Sequence, residues 1–437
     1  MRYRIRQDDV HDFAFAAWDQ FETLEGDAKE PPVHVKVLAP REYEGSARDA
    51  LHWTIAAIEY FSRTLGTYPY EQVTVVVPPF NAIESGGMEY ETFFTTIGRL
   101  GPPLRQLVPF VTVHEFGHGY FMGLLATNEF EEPFLDEGLN EFWDQRMLQG
   151  ESLQIPAPGL LGRLGLRTPR FSYWDLERQG TQRFQADPIA GNSWDRYSAG
   201  SYGLVYSRTA MVFHDLEQRL PPGVLARGFA EYYRRWRFRH PSTADLEETL
   251  AGSAGDQAGL VRRWFAEQVY ERAPVDDRVE TVEAAEVLPE PGTVIKGGIL
   301  RVEVTEKEVE SQIAVQRAMF ARAHPGAQRT EPGPFPWRSV VQVRRYAAQE
   351  PQKVMLKFDG GATETLDFPE AERWHRWVFE RPVRIASAQL DPRREVLLDL
   401  NKLDDGRTRE RAPLASRRWT LEFKAWAELA LAMLEAL

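Results

Sequence analysis

The chain has no cysteine. That excludes disulfide staples and thiol nucleophiles, and any metal must be held by histidine and carboxylate side chains. Basic residues are fewer than acidic ones: 52 Lys and Arg against 65 Asp and Glu, a net charge of −13 over 437 residues. No basic stripe dominates, which argues against nucleic acid as a partner. The local run Arg234-Arg235-Trp236-Arg237-Phe238-Arg239-His240 is short and reads as a helix end with packing aromatics. No apolar run reaches the length of a transmembrane helix. Residues 1–20 carry charges throughout and lack the apolar core of a signal peptide. The missing cysteine fits a cytoplasmic or a periplasmic location equally. Neither the compartment nor the oligomeric state is set by the sequence.

What is present is His114-Glu115-Phe116-Gly117-His118. Apolar residues flank it: Leu107, Val108, Phe110, Val111 and Val113 before, Tyr120, Phe121, Met122, Leu124 and Leu125 after. This reads as a buried helix, on which two histidines four apart lie one turn apart on the same face. Two imidazoles so placed can bind one zinc ion, and the glutamate beside the first can take a proton from a zinc-bound water. Eighteen residues separate His118 from Glu137. Pro133 marks a second helix start, and the loop 126–132 lets the two helices pack antiparallel. Glu137 then faces the histidines and completes a three-ligand site for a single zinc ion per chain, with the fourth position open as catalytic sites require. Asp136 and Glu141 are candidates to orient the imidazoles, or else part of a solvated helix face.

Upstream, Ser85-Gly86-Gly87-Met88-Glu89-Tyr90 places two glycines before a carboxylate. Such a stretch lets backbone approach a ligand closely, or makes a hairpin turn before a strand over 91–97. Around it, 1–40 alternates at period two, 45–65 is an amphipathic helix ended by Gly66, and 73–77 is a strand stopped by Pro78-Pro79. Residues 150–275 read mainly as helices. Pro274-Val275-Asp276-Asp277 marks a boundary, followed by an acidic linker to about 292. Beyond it the period returns to two, with strands expected at 294–304, 339–346, 353–358, 363–368, 373–379, 383–390 and 396–400. Asp359-Gly360-Gly361 gives a hairpin turn. Short strands with turn signals predict a small β-sandwich. Residues 322–336 read as a loop and 416–437 as a closing helix.

Taken together, these motifs resemble the gluzincin zinc aminopeptidases, the family of aminopeptidase N. The zinc signature is His114-Glu115-x-x-His118 with Glu137 after eighteen residues. Gly86-Gly87-Met88-Glu89-Tyr90 is similar to the exopeptidase motif G-x-M-E-N, with Tyr90 in place of Asn. Tyr68-Pro69-Tyr70 is similar to the family's lead-in to the catalytic domain. Tyr206, about seventy residues after Glu137, resembles the catalytic tyrosine; Tyr202 and Tyr197 are the other candidates.

The resemblance covers 40–275 closely and the remainder more loosely. It implies an α+β fold with a thermolysin-like, mainly helical zinc peptidase domain at 41–277, then a linker at 278–292, a β-sandwich at 293–415 and a C-terminal helix at 416–437. Residues 1–40 would be remnant strands of an N-terminal β domain that is otherwise largely missing. The implied activity is zinc-dependent removal of N-terminal residues from peptides. Glu115 would be the general base, Tyr206 the oxyanion donor, and Gly86, Gly87 and Glu89 the contacts to a substrate's free amino end. A zinc endopeptidase of thermolysin-like fold and a catalytically weak zinc-binding scaffold are the competing readings. With a single carboxylate for the amine, leaky discrimination is expected.

Overall fold

The computed structural model describes residues 5–98, 107–154, 170–183, 187–196, 202–296, 300–326, 332–410 and part of 414–428. It is an α+β protein that divides into two compact units, 1–273 and 274–437.

In the first unit, β1 (Phe21–Lys29) and β2 (Pro32–Pro40) form an antiparallel pair, and helix α1 (Glu44–Thr64) crosses over to β3 (Gln72–Val76), which runs parallel to β2. A hairpin of β4 (Met88–Tyr90) and β5 (Phe93–Thr95) completes the sheet, whose order is β1-β2-β3-β5-β4. Residues 21–40, expected as strands of a separate β domain, are thus part of this same sheet. Ile5 and Arg6, expected in a strand, are in none, and residues 2–4 lie outside the described residues. One face of the sheet buries Val33, Val35, Val37, Val73 and Val75. Along α1, Ala47, Ala50, Ala57, Ile58 and Phe61 are buried at helical spacing.

Helix α2 (Val108–His118) opens with Pro109 in its first turn, where a missing N–H costs nothing. It is apolar on most sides, so it sits in the interior. It then widens into a π turn over Gly119–Leu124. A short 3-10 turn at Pro133–Leu135 leads into α3 (Glu137–Met147). Next come the two-residue strands β6 (Leu153–Gln154) and β7 (Arg170–Phe171), then the helices α4 (Tyr173–Arg183), α5 (Gly203–Arg219), α6 (Val224–Trp236), α7 (Thr243–Ala254) and α8 (Ala258–Trp264). Phe142, Phe213 and Phe229 pack together in tilted and edge-to-face contacts with ring centroids 5.9–6.0 Å apart, joining α3, α5 and α6.

In the second unit, β8 (Asp277–Glu286) occupies most of the stretch expected as a linker, because its backbone pairs along its length with β11 (Trp337–Arg345). The single strand expected at 294–304 is a hairpin of β9 (Gly292–Lys296) and β10 (Leu300–Val304), with 297–299 outside the described residues. An unforeseen helix α9 (Glu306–Ala323) follows, started by a reciprocal cap between Thr305 and Glu308. β12 (Gln352–Phe358), β13 (Thr363–Phe368), β14 (Trp374–Arg381), β15 (Ile385–Leu390) and β16 (Gly406–Thr408) make the remainder. The sheets β14-β11-β8 and β13-β12-β15-β16 share one core that includes Val279, Val341, Val343, Leu356 and Phe358. Residues 396–400 form no strand: the Asp391 carboxylate accepts the backbone N–H groups of Glu395 and Val396 at 2.7 and 3.0 Å and turns the chain. The described residues of 414–428 are helical, and the rest of the helix expected to 437 lies outside them.

Candidate metal centre

Helices α2 and α3 approach closely because Gly117 carries no side chain. A Cβ there would lie 1.9 Å from Asn140 Oδ1. Asn140 Nδ2 donates to the His114 carbonyl at 2.7 Å and locks the pair. This contact brings Glu137, in the first turn of α3, against both histidines of α2.

The Nε2 atoms of His114 and His118 are 3.1 Å apart, and Glu137 Oε2 lies 3.4 and 3.3 Å from them. Atoms about 2.0–2.1 Å from one ion at tetrahedral angles lie about 3.3–3.4 Å apart. The three atoms therefore form one face of a zinc-sized tetrahedron. Their protonation agrees. His118 Nδ1 bonds Asp136 Oδ1 at 2.8 Å, and His114 Nδ1 bonds Asp144 Oδ2 at 2.8 Å with Glu141 Oε2 at 3.3 Å. A carboxylate only accepts, so each Nδ1 carries a hydrogen, and in the neutral ring each Nε2 then offers its lone pair to a metal. Glu137 Oε2 is buried with no hydrogen-bond partner. Three converging lone pairs repel one another unless protons or a metal cation lie among them, and the zinc-sized spacing fits the metal.

The electrostatics point the same way. Burial alone would lower the affinity of His114 for a proton, but Asp144, Glu137 and Glu141 outweigh it and raise its pKa well above the usual value. Burial is likewise outweighed at His118, by Asp136 and Glu137. Burial raises the Glu137 carboxyl, but the two histidines together pull it well below the usual range. The centre is built to hold positive charge.

Glu115 is 6% exposed, and burial pushes its carboxyl up to about 7 against the pull of His114 and His118. It offers an oxygen within 4.8 Å of ligand atoms on His118 and Glu89. Glu89 comes from β4, and just ahead of that strand Gly87 adopts φ of +76°, a left-handed conformation that favours glycine, while the Gly87 N–H donates to Thr95 O at 3.1 Å. The glycine-rich stretch is therefore the approach to an edge strand facing α2. Burial also raises the Glu89 carboxyl, opposed by His118.

Tyr206, in the first turn of α5, donates its hydroxyl to Glu137 Oε1, and its ring lies 6.0 Å from that of His114. Burial and then Glu137 push its phenol above the ordinary range. Tyr202 stands one turn earlier with its ring 6.0 Å from that of Tyr206, and its phenol is pushed up to about 12 by burial and Glu137. Tyr197 lies outside the described residues. Asp136 and Glu141 are buried against the imidazoles and are not a solvated face. Sequence reasoning missed Asp144, although it lies seven residues after Glu137, two turns along the same helix face. It also missed Glu129, which brings a carboxylate oxygen within 4.8 Å of Glu89 and Asp136.

Comparison with solved structures adds the fold. Legionella pneumophila aminopeptidase A, solved with aspartic acid, aligns with 87% of this chain at 12% identity and a TM-score of 0.52. The chain shares its fold with a solved aminopeptidase. It spans only 38% of that protein's length. An M1 zinc metallopeptidase from Deinococcus radiodurans and a two-domain M1 zinc metallopeptidase bound to L-arginine align with 58% of this chain and 53% of theirs, at 14% and 15% identity and TM-scores of 0.41. No protein-family model and no curated protein sequence matches the chain.

Proposed function

We propose that this protein is a zinc peptidase that releases residues from the amino end of peptides. The observation that carries this reading is the His114, His118 and Glu137 face with Glu115 and Glu89 at its open side. Zinc bound there supplies a Lewis acid and an activated water, whose pKa falls toward about 7. Glu115 takes the proton from the attacking water and passes it to the departing amine, duties that a buried carboxyl beside the metal ligands suits. The Tyr206 hydroxyl donates to the carbonyl oxygen as charge develops on it. Asp136 and Asp144 hold the imidazoles in one orientation and one tautomer. Glu89 pairs with the substrate ammonium, and the backbone of Gly86 and Gly87 aligns the peptide. The first unit, residues 1–273, carries this catalytic role, and the β-sandwich domain takes in β8 as well as the strands of 293–415.

The test is metal content and turnover of an aminoacyl-arylamide. The purified protein should hold about one zinc per chain. Glu115→Gln should keep the zinc and lose roughly 10²–10⁴-fold in kcat. His118→Ala should lose the metal. Zinc-loaded protein with no turnover of free or blocked peptides would leave the scaffold reading, and equal cleavage of both would favour an endopeptidase.

A further inference from the structure

Glu129 stands on the loop that joins the π turn to α3, and no role falls to it in the chemistry above. One oxygen each from Glu129, Glu89 and Asp136 lie within 4.8 Å of one another. Like charges so close, in a partly dry site, repel unless one carboxylate takes a proton or a cation sits between them. Among the described residues no lysine or arginine reaches ion-pair distance of any of the three. The neighbouring His11 pairs with Glu91 instead, at 2.6 Å. Asp136 is fully buried, and while its Oδ1 takes the His118 hydrogen, its Oδ2 has no hydrogen-bond partner among the described residues. The cluster therefore has an unused buried acceptor on Asp136, and among the described residues its only ion-pair partner is His118, 2.8 Å from Asp136 Oδ1 and committed to the metal centre.

The missing cation can be described from the geometry. A primary ammonium carries three donors, each reaching an oxygen at about 2.8 Å. Oxygens up to about 5.6 Å apart can then share one nitrogen, which the spacing here permits. Glu89 also neighbours Glu115 and His118, so a nitrogen held here sits beside the reacting carbonyl, as the α-amine of a peptide's first residue must.

We propose that Glu129 is a specificity-determining residue: together with Glu89 it grips the α-ammonium of the substrate, with Asp136 behind them. This rests on the peptidase reading above. It replaces the expectation of a single, leaky carboxylate contact with a two-carboxylate receptor built within residues 89–136.

Two measurements test it. The first is kcat/KM for one short peptide with a free and an N-acetylated amino end, in the wild type, Glu129→Gln and Glu129→Asp. The free-over-acetylated ratio should fall at least tenfold in Glu129→Gln, mainly through KM, and recover in part in Glu129→Asp, with zinc per chain unchanged. The second is calorimetric titration of the zinc-loaded proteins with leucinamide and N-acetyl-leucinamide. Leucinamide should bind the wild type at least tenfold more tightly than it binds Glu129→Gln, and the acetylated probe should show no such difference. Equal leucinamide affinity in wild type and Glu129→Gln overturns the proposal. So does a second metal ion per chain that disappears in Glu129→Gln, since the cluster would then hold a divalent cation. If the wild type cleaves neither peptide, the peptidase reading fails, while the leucinamide titration still decides whether Glu129 grips an ammonium.

Discussion

Two buried clusters, one in each unit, treat charge in opposite ways. In the second unit, Arg345 and Asp277 are both fully enclosed. The guanidinium grips Asp277 through Nε and Nη2 at 2.8–3.2 Å, donates to the carbonyls of Pro369 and Glu370, and stacks on Phe368 at 4.3 Å. Gln352 adds a bond to Asp277 at 2.8 Å. Here charge is balanced and donors meet acceptors. At the metal centre of the first unit, carboxylate and imidazole groups converge, and among the described residues no lysine or arginine pairs with them. The contrast separates charge that pins a fold from charge kept for a ligand. A pinned pair is complete in the protein alone, whereas a functional cluster is complete only when occupied.

The largest expected effect breaks the complete pair. Arg345→Met should cost about 3–5 kcal/mol of stability in denaturant unfolding, because it strands the Asp277 carboxylate. Adding Asp277→Leu should recover much of that loss, since two apolar residues leave no charge behind. If the single variant is as stable as wild type, the pair is not the pin described. Next is the oxyanion donor. Tyr206→Phe should lower kcat about 100-fold, near 2.7 kcal/mol, with KM and folding little changed. If Tyr202→Phe shows that loss instead, the tyrosine assignment falls. The smallest effect concerns neither kind of cluster. Ser242 caps α7, with Asp245 returning a bond to the Ser242 N–H at 2.9 Å. Ser242→Ala should cost about 1 kcal/mol in the same unfolding experiment and leave kcat/KM unchanged, which calibrates the other two.

Much of the metal centre could be read from residue spacing, because a helix converts separation in sequence directly into placement on a face. His114, His118 and Glu137 needed only two helices and a loop short enough to pack them. Asp144 could have been found by the same periodicity. Glu129 could not, since a loop carboxylate acquires meaning only from what the folded chain brings opposite it. The second unit was harder for a related reason. β8 is acidic and reads as linker, and only its pairing with β11 makes it a strand. Helix α9 did carry a sequence signal, Thr305 with Glu308 three residues on, but the alternation before it obscured the change of period. The apolar run Val396-Leu397-Leu398 has strand composition, yet the side chain of Asp391 captures the backbone it would need for a ladder.

β4 closes the order of its sheet, so one side of Met88–Tyr90 has no neighbouring strand among the described residues. Under the peptidase reading, a peptide that reaches the metal would lie along this border and take the place of a sixth strand. It must arrive extended, because a helix has already committed its N–H and C=O groups to itself. A proline at a ladder position brings no N–H and forfeits a bond there. Under that reading the border would screen substrates by shape before any side chain is inspected. Frayed and unstructured chain ends would be admitted, and a well-folded terminus would be spared until it loosens.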